Sequence, residues 1–214
     1  MKITTLFVTG GVVVAAAIAA IAAFRAAESH INSAGASAIV TVGSAATGEK
    51  VTLDGLEVSL LSGRGTLTNL RVPNSAAGKA PYSFVLDSVS LSIVPWSLLG
   101  GPLHIKSIEI RGPAIDLETN ASGSNLTLIL AAAAAYALAS SADEGEKLRI
   151  DDLTITGGRL SATLYPFSTK VSTTVPDIVM RDMGAGGEGM SQADFVAALL
   201  NETVNQATKA ALSF

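Results

Sequence analysis

An eight-residue pattern, Φ-x-Φ-x-x-Φ-x-Φ with Φ apolar, occurs four times in this chain of 214 residues and narrows its fold more than any other feature. The copies span 51–58 (Val51, Leu53, Leu56, Val58), 84–91 (Phe84, Leu86, Val89, Leu91), 103–110 (Leu103, Ile105, Ile108, Ile110) and 148–155 (Leu148, Ile150, Leu153, Ile155). Alternation with period two puts one face of a strand in a core and the other in water. The three-residue step at the centre breaks that period. One extra residue, as in a β-bulge, returns both apolar halves to the same side and bends the strand. Each copy is expected to bury one continuous face while it curves. The copies begin 33, 19 and 45 residues apart, which excludes a solenoid of fixed period.

Further strands are expected at 65–72, 114–118, 159–164 and 173–180, the last with Pro176 marking an edge or a bulge. Turns are expected around Ser62-Gly63 and at Gly157-Gly158. Pro73-Asn74, Gly100-Gly101-Pro102 and Gly112-Pro113 punctuate other joins. Short strands joined this way indicate a mainly antiparallel sheet.

Residues 6–24 contain no charge, with Lys2 before them and Arg25 after. At about 1.5 Å per residue they span roughly 28 Å, near the thickness of a bilayer's hydrocarbon core. The run exceeds the 7–15 residues usual for the apolar part of a cleavable signal peptide, the competing reading, so an anchor is expected. Lys2 and the amino terminus favour residues 1–5 on the cytoplasmic side and 26–214 outside. Gly10-Gly11 suits close helix contact or is a tolerated pair in an Ala/Val-rich span. The helix is expected to continue through 25–31 and stop at Asn32–Gly35, making 25–35 a juxtamembrane segment. Residues 36–214 are enough for one domain with its own core.

Two helices interrupt the strand pattern. Residues 125–141 hold Leu126, Leu128, Ile129, Leu130, five consecutive Ala, Tyr136 and Leu138. They are too short and Ala-rich for a second span and are expected to pack on the sheet or close one end. Residues 191–212 form the other, with Ser191 as cap, Asp194 at capping-box distance, and Val196, Leu199, Leu200, Val204, Ala207 and Ala211 as its apolar stripe. The fold class expected is mainly β with helices. A single amino-terminal transmembrane helix precedes a curved, mostly antiparallel sheet, a packed Ala-rich helix and a carboxy-terminal helix.

Charged residues make up 15% of the chain, against about a quarter in ordinary soluble domains. Fourteen Lys and Arg against eighteen Asp and Glu give net −4, which argues against a nucleic-acid partner. Zero Cys excludes disulfides, iron–sulfur clusters and Cys nucleophiles. His30 and His104 are the two histidines, and neither has a spacing that suggests a triad. Gly184-Ala185-Gly186-Gly187-Glu188-Gly189 matches G-x-G-x-x-G, but no later strand carries a ribose-binding acid, so a flexible connection is expected. Asp151-Asp152 is an acidic pair on a strand, where neighbours point to opposite faces, so it marks the bulge and is no catalytic dyad. Asn120, Asn125 and Asn201 start N-x-S/T sequons, meaningful only in a eukaryotic secretory setting. No metal, nucleotide or other cofactor is implied, and the reading is non-enzymatic.

The run from Ser62 to Leu130 resembles the AsmA family of bacterial inner-membrane proteins. The residues that carry it are 66–74 (Thr-Leu-Thr-Asn-Leu-Arg-Val-Pro-Asn) and Leu86-Asp87-Ser88-Val89. Then come 97–105 (Ser-Leu-Leu-Gly-Gly-Pro-Leu-His-Ile), 108–113 (Ile-Glu-Ile-Arg-Gly-Pro) and Ser124-Asn125-Leu126. Residues 175–212, with Asp177-Ile178 and Asp182-Met183-Gly184, are similar to the ends of small AsmA-like proteins. Pro73-Asn74 inverts the family's usual order at that turn. The resemblance implies a single-pass protein of the bacterial inner membrane, its bulk in the periplasm, serving envelope biogenesis. Long members resemble bridge-like lipid transfer proteins. Strands of 8–10 residues, about 30 Å long, shape only a short trough.

Two functions compete. In the first, the sheet shields lipid acyl chains, with Leu56, Val58, Val89, Leu91, Ile108, Ile110, Leu153 and Ile155 as candidate lining and membrane lipids as partners. Their competing reading is plain core. In the second, the outer domain is a structural or accessory subunit that packs on other inner-membrane or periplasmic proteins or on itself, which suits low surface charge.

Overall fold

The computed structural model of the chain describes residues 33–59, 61–74, 79–120, 123–125, 129, 147–164, 169–191, 194, 195, 198, 199, 201 and 202. The expected anchor at 6–24, its flanks 1–5 and 25–32, and most of the two expected helices at 125–141 and 191–212 lie outside them.

The first element is a helix, α1 (Ser33–Thr47). Residues 33–35, expected to break the chain between helix and domain, are its first turn. The segment mixes helix formers with Val, Ile and Thr, so propensity alone does not choose. Burial does, because Ile39, Gly43, Ala46 and Thr47 recur at helical spacing and all are buried. Gly43 admits Val51, since a Cβ there would lie 3.3 Å from Val51 Cγ1. The helix ends at Gly48, whose φ of 71° and bond to the Ser44 carbonyl (2.9 Å) complete a left-handed cap.

The strands are β1 (Gly55–Ser59), β2 (Arg64–Pro73), β3 (Tyr82–Ile93), β4 (Leu103–Arg111), β5 (Ala114–Asn120), β6 (Gly123–Ser124), β7 (Leu148–Thr156), β8 (Gly158–Leu164), β9 (Thr169–Val175) and β10 (Ile178–Met183). They form a mainly β architecture in which a mixed sheet curls into a half-barrel. Seven of the nine described pairings are antiparallel; β4 with β7 and β5 with β8 are parallel.

Several of these strands are halves of longer ones. Val85 pairs with Ala114 and Ser88 with Arg111, so the register of β3 passes from β4 to β5 without a break. Arg111 pairs with Thr156 and Ala114 with Arg159, which carries the register from β4–β5 onto β7–β8. Gly158 pairs with Val175 and Ile155 with Ile178, which carries it onto β9–β10. Gly112-Pro113 and Gly157-Gly158 are therefore not the turns expected of them. They are kinks inside through-running strands, placed side by side across the sheet. Gly112 (φ 61°) and Gly157 (φ 67°) adopt the left-handed region, which re-aims the chain without ending the ladder. Pro176-Asp177 continues the row, with Asp177 Oδ1 accepting the Gly157 amide at 3.2 Å.

The three-residue steps also line up. Ile105 pairs with Ile150 and Ser107 with Asp152, so the copies at 103–110 and 148–155 lie parallel, position for position. All eight of their apolar residues are at most 5% exposed, so each step does return both halves to one face. Lys106, Asp151 and Asp182 fall at the steps of β4, β7 and β10. Asp54, Asn69 and Asp87 form a second row across the lead into β1, then β2 and β3. Asn69 (φ 51°) and Asp182 (φ 55°) are the non-glycine residues with positive φ among those described, and Asn and Asp tolerate that region best.

Candidate functional surfaces

The eight candidate lining residues do come together, in one cluster. Val89, Leu91, Ile108, Ile110, Leu153 and Ile155 are each no more than 8% exposed, while Leu56 and Val58 on β1 are half-buried against the same cluster. Ile39 of α1, Ile129, Phe195 and Leu199 pack into it as well. Asn125 and Ile129 are helical, as are Asp194, Phe195, Ala198, Leu199, Asn201 and Glu202.

The capping box at Ser191 forms as its sequence specifies. The Asp194 amide donates to Ser191 Oγ (3.0 Å), and Asp194 Oδ2 accepts from the Ser191 amide (3.3 Å) and hydroxyl (2.7 Å). These bonds hold the Asp194 carboxyl below its ordinary 3.8. Phe195 and Leu199, one turn apart, are the buried positions described here, and Phe195 lies outside the stripe expected from sequence. The glycines just before serve the backbone. Gly184 and Gly189 both adopt positive φ against the Leu148 carbonyl, and Met190 bridges Leu148 with bonds of 2.7 and 2.8 Å.

The acidic pair is corrected in one respect. The step at Ile150–Leu153 turns both carboxylates outward, where different side chains engage them. Asp151 meets His104 Nε2 (2.7 Å) and Arg149 Nε (3.1 Å); Asp152 meets Arg181 Nε (3.3 Å). Partial burial raises the Asp151 carboxyl, but the His104 and Arg149 bonds outweigh it and leave it below 3.8. At the first step, a bidentate Arg71 (2.5 and 2.9 Å) lowers Asp54 in the same sense.

Asn125 is 5% exposed, which removes it as a surface acceptor for sugar. Its side chain joins separate parts of the fold. Oδ1 accepts the Glu118 amide (2.9 Å), and Nδ2 donates to the Asp116 carbonyl (2.7 Å) and to Asn74 Oδ1 (3.0 Å). Glu118 then receives the amides of Lys79 (2.5 Å) and Ala80 (2.6 Å). Nothing local in the sequence marks this node, because its members are 51 residues apart.

Two surfaces are apolar and open. On the far side of the kink row, Ile115 and Leu117 are buried, Leu160 and Ala162 are half-buried, and Val171 on β9 is 53% exposed. At the opposite end of the sheet, Leu61 is 99%, Trp96 77% and Leu99 82% exposed. Trp96 and Leu99 belong to the 3-10 turn Pro95–Leu99. Ser97 pins that turn, donating to the Val94 carbonyl (2.7 Å) and accepting the His104 amide (3.0 Å). The 61–63 turn that carries Leu61 meets it through Gly63: the Ile93 amide donates to the Gly63 carbonyl at 2.8 Å, and a Cβ on Gly63 would lie 3.1 Å from Pro95.

Among the described residues no group of three His, Asp or Glu could hold a metal, and no helix is long and apolar enough to cross a membrane. Compared with models of known protein families and with curated proteins, the chain matches none.

Proposed function

We propose that this is a membrane-anchored, AsmA-like protein of the bacterial envelope, held in the inner membrane by residues 6–24. Its periplasmic domain is a non-catalytic accessory module. One observation carries the choice between module and trough: the aliphatic face of the bent strands is filled by the chain's own side chains. Six of the eight candidate lining residues are no more than 8% exposed, so the site for a partner lies on the outside of the domain. Asn74 and Asn125, from two separate pieces of the stretch on which the AsmA resemblance rests, bond to each other at 3.0 Å.

Native mass spectrometry of full-length protein, purified in mild detergent from its own membranes, tests the reading. Retention of protein subunits without phospholipid is the expected result. A monomer carrying phospholipid overturns it. Leu91→Asp with Ile110→Asp separates the cases further. As core residues they should cost the domain its fold by circular dichroism, whereas a folded variant that has only lost lipid would restore the trough.

The lipid-shielding reading keeps one foothold, the partly open strip of Leu160, Ala162 and Val171. Acyl chains handled by this domain would lie there and not on the six buried residues named from sequence.

A further inference from the structure

Leu61, Trp96 and Leu99 are large apolar side chains left in water at one end of the sheet. Ordinary surfaces carry such residues singly; here three come from two adjacent loops. A 3-10 turn has three residues per turn, so Trp96 and Leu99 stand on the same side of theirs, while Leu98 packs inward on the core. The turn is fixed by both hydrogen bonds of Ser97, so the exposed pair is presented on a firm support. Residues 59–63 and 94–102 contain no Asp, Glu, Lys or Arg. Arg64, exposed at the first position of β2, is the nearest charge in sequence to Leu61, and a cation suits a phosphate headgroup.

We infer that Leu61, Trp96 and Leu99 form a rigid tip that rests in the interfacial layer of the bilayer. The occupant follows from the rest of the chain. The uncharged run 6–24 ends eight residues before α1 begins, and eight residues reach at most about 28 Å. With that run in the membrane, the domain is confined beside the lipid surface and meets it at high effective concentration. Trp favours the headgroup level, where its ring is in an apolar layer and its N–H finds a polar partner. A second contact of this kind fixes the tilt of a domain that is otherwise held to the membrane at one point. The inference rests on the anchor proposed above.

Trp96 is the only tryptophan in the protein, so its fluorescence reports this site alone. Full-length protein is reconstituted into vesicles of phosphatidylethanolamine and phosphatidylglycerol, with and without brominated acyl chains, and first tested by flotation after an alkaline wash. Floating protein with blue-shifted Trp96 emission, quenched by bromolipid and protected from acrylamide, is the expected result. Floating protein whose Trp96 is open to acrylamide and untouched by bromolipid overturns the tip and leaves the anchor standing. Protection from both quenchers also overturns the tip, in favour of a protein contact. Protein that does not float overturns the anchor and the tip with it. Leu61→Ser with Leu99→Ser, both at exposed positions, should leave the thermal transition in place and lose the bromolipid quenching.

Discussion

The row of kinks through Gly112, Gly157 and Pro176-Asp177 divides the sheet into two regions that share one register and differ in what covers them. On one side, β4, β7 and β10 carry the three-residue steps; Leu148, Ile150, Leu153 and Ile155 of β7 are between 0% and 5% exposed. On the other, β5, β8 and β9 alternate without a step, and six of the seven residues of β9 are exposed. The ladders are interrupted at the steps of the first region and continuous in the second, so the more open region is not the one with the poorer pairing. Apolar cover makes the difference. In the first region Ile105, Ile150 and Leu153 are 0% exposed; in the second the burial thins from Ile115 through Leu160 to Val171.

The largest effect that tests this contrast is loss of core volume. Ile150→Ala should destabilise the domain by about 2–5 kcal/mol, because a 0%-exposed side chain leaves a cavity. Val171→Ala, in the same sheet at 53% exposure, should change stability by less than about 0.5 kcal/mol. Urea denaturation of both variants measures it. Equal losses would mean that the second region is packed as tightly as the first.

The first region was the legible one. Its four repeats stand out because every buried position is Val, Leu, Ile or Phe, and aliphatic periodicity is a local signal. Two more copies of the step, Leu67–Leu70 and Met180–Met183, escaped notice. The β2 pattern begins on Gly65, and that of β10 runs out into the turn at Gly184-Ala185. The kinks read as turns in the sequence, since glycine spacing does not say whether the chain reverses. Only pairing tells that, and pairing is not local. α1 was missed because its Ala, Val, Ser and Thr residues favour neither helix nor strand clearly, and tertiary burial of Ile39 decided. The Asn125 node and the Trp96 tip depend on residues brought together by the fold, so periodicity could not find either.

The node is the next place to press. Asn125 ties the end of β5 to Asn74, which follows β2, so it supports the region with the least apolar cover. Asn125→Ala should cost about 1–3 kcal/mol, because it strands the part-buried Glu118 amide and Asp116 carbonyl. Hydrogen exchange should then rise at β5 and β8 more than at β4 and β7. A uniform rise would show that the two regions unfold as one.

The kink row gives a smaller and more local effect. Gly112→Ala places a Cβ against the Asp87 carboxylate at a φ of 61°, and the left-handed conformation alone costs about 1–2 kcal/mol. Gly101→Ala, at φ 78° with nothing within 4 Å, carries the conformational cost without the collision. Adding Asp87→Ala to Gly112→Ala should recover the steric part. No recovery would mean that the kink is held by its dihedral and not by what it packs against.

The smallest effect lies on the outer face of the packed region and is electrostatic. Asp151 is held below 3.8 by His104 and Arg149 in spite of its partial burial. A carboxyl lowered on folding stabilises the native state fully above its unfolded pKa, near 3.8, and the gain is lost as pH falls through the folded value. The pair is about one-third open to solvent, so its contribution is below about 1 kcal/mol. Asp151→Asn keeps a hydrogen-bond acceptor for His104 and Arg149 but does not titrate. Wild type should therefore be the more stable protein near neutrality, and the difference should shrink as pH is lowered from about 5 towards 2. Unfolding free energies from urea titrations across that window measure the shrinkage. A difference that stayed constant would assign the role of Asp151 to shape at the step between Ile150 and Leu153. In that case the row of steps through Lys106, Asp151 and Asp182 would owe its position to backbone geometry alone.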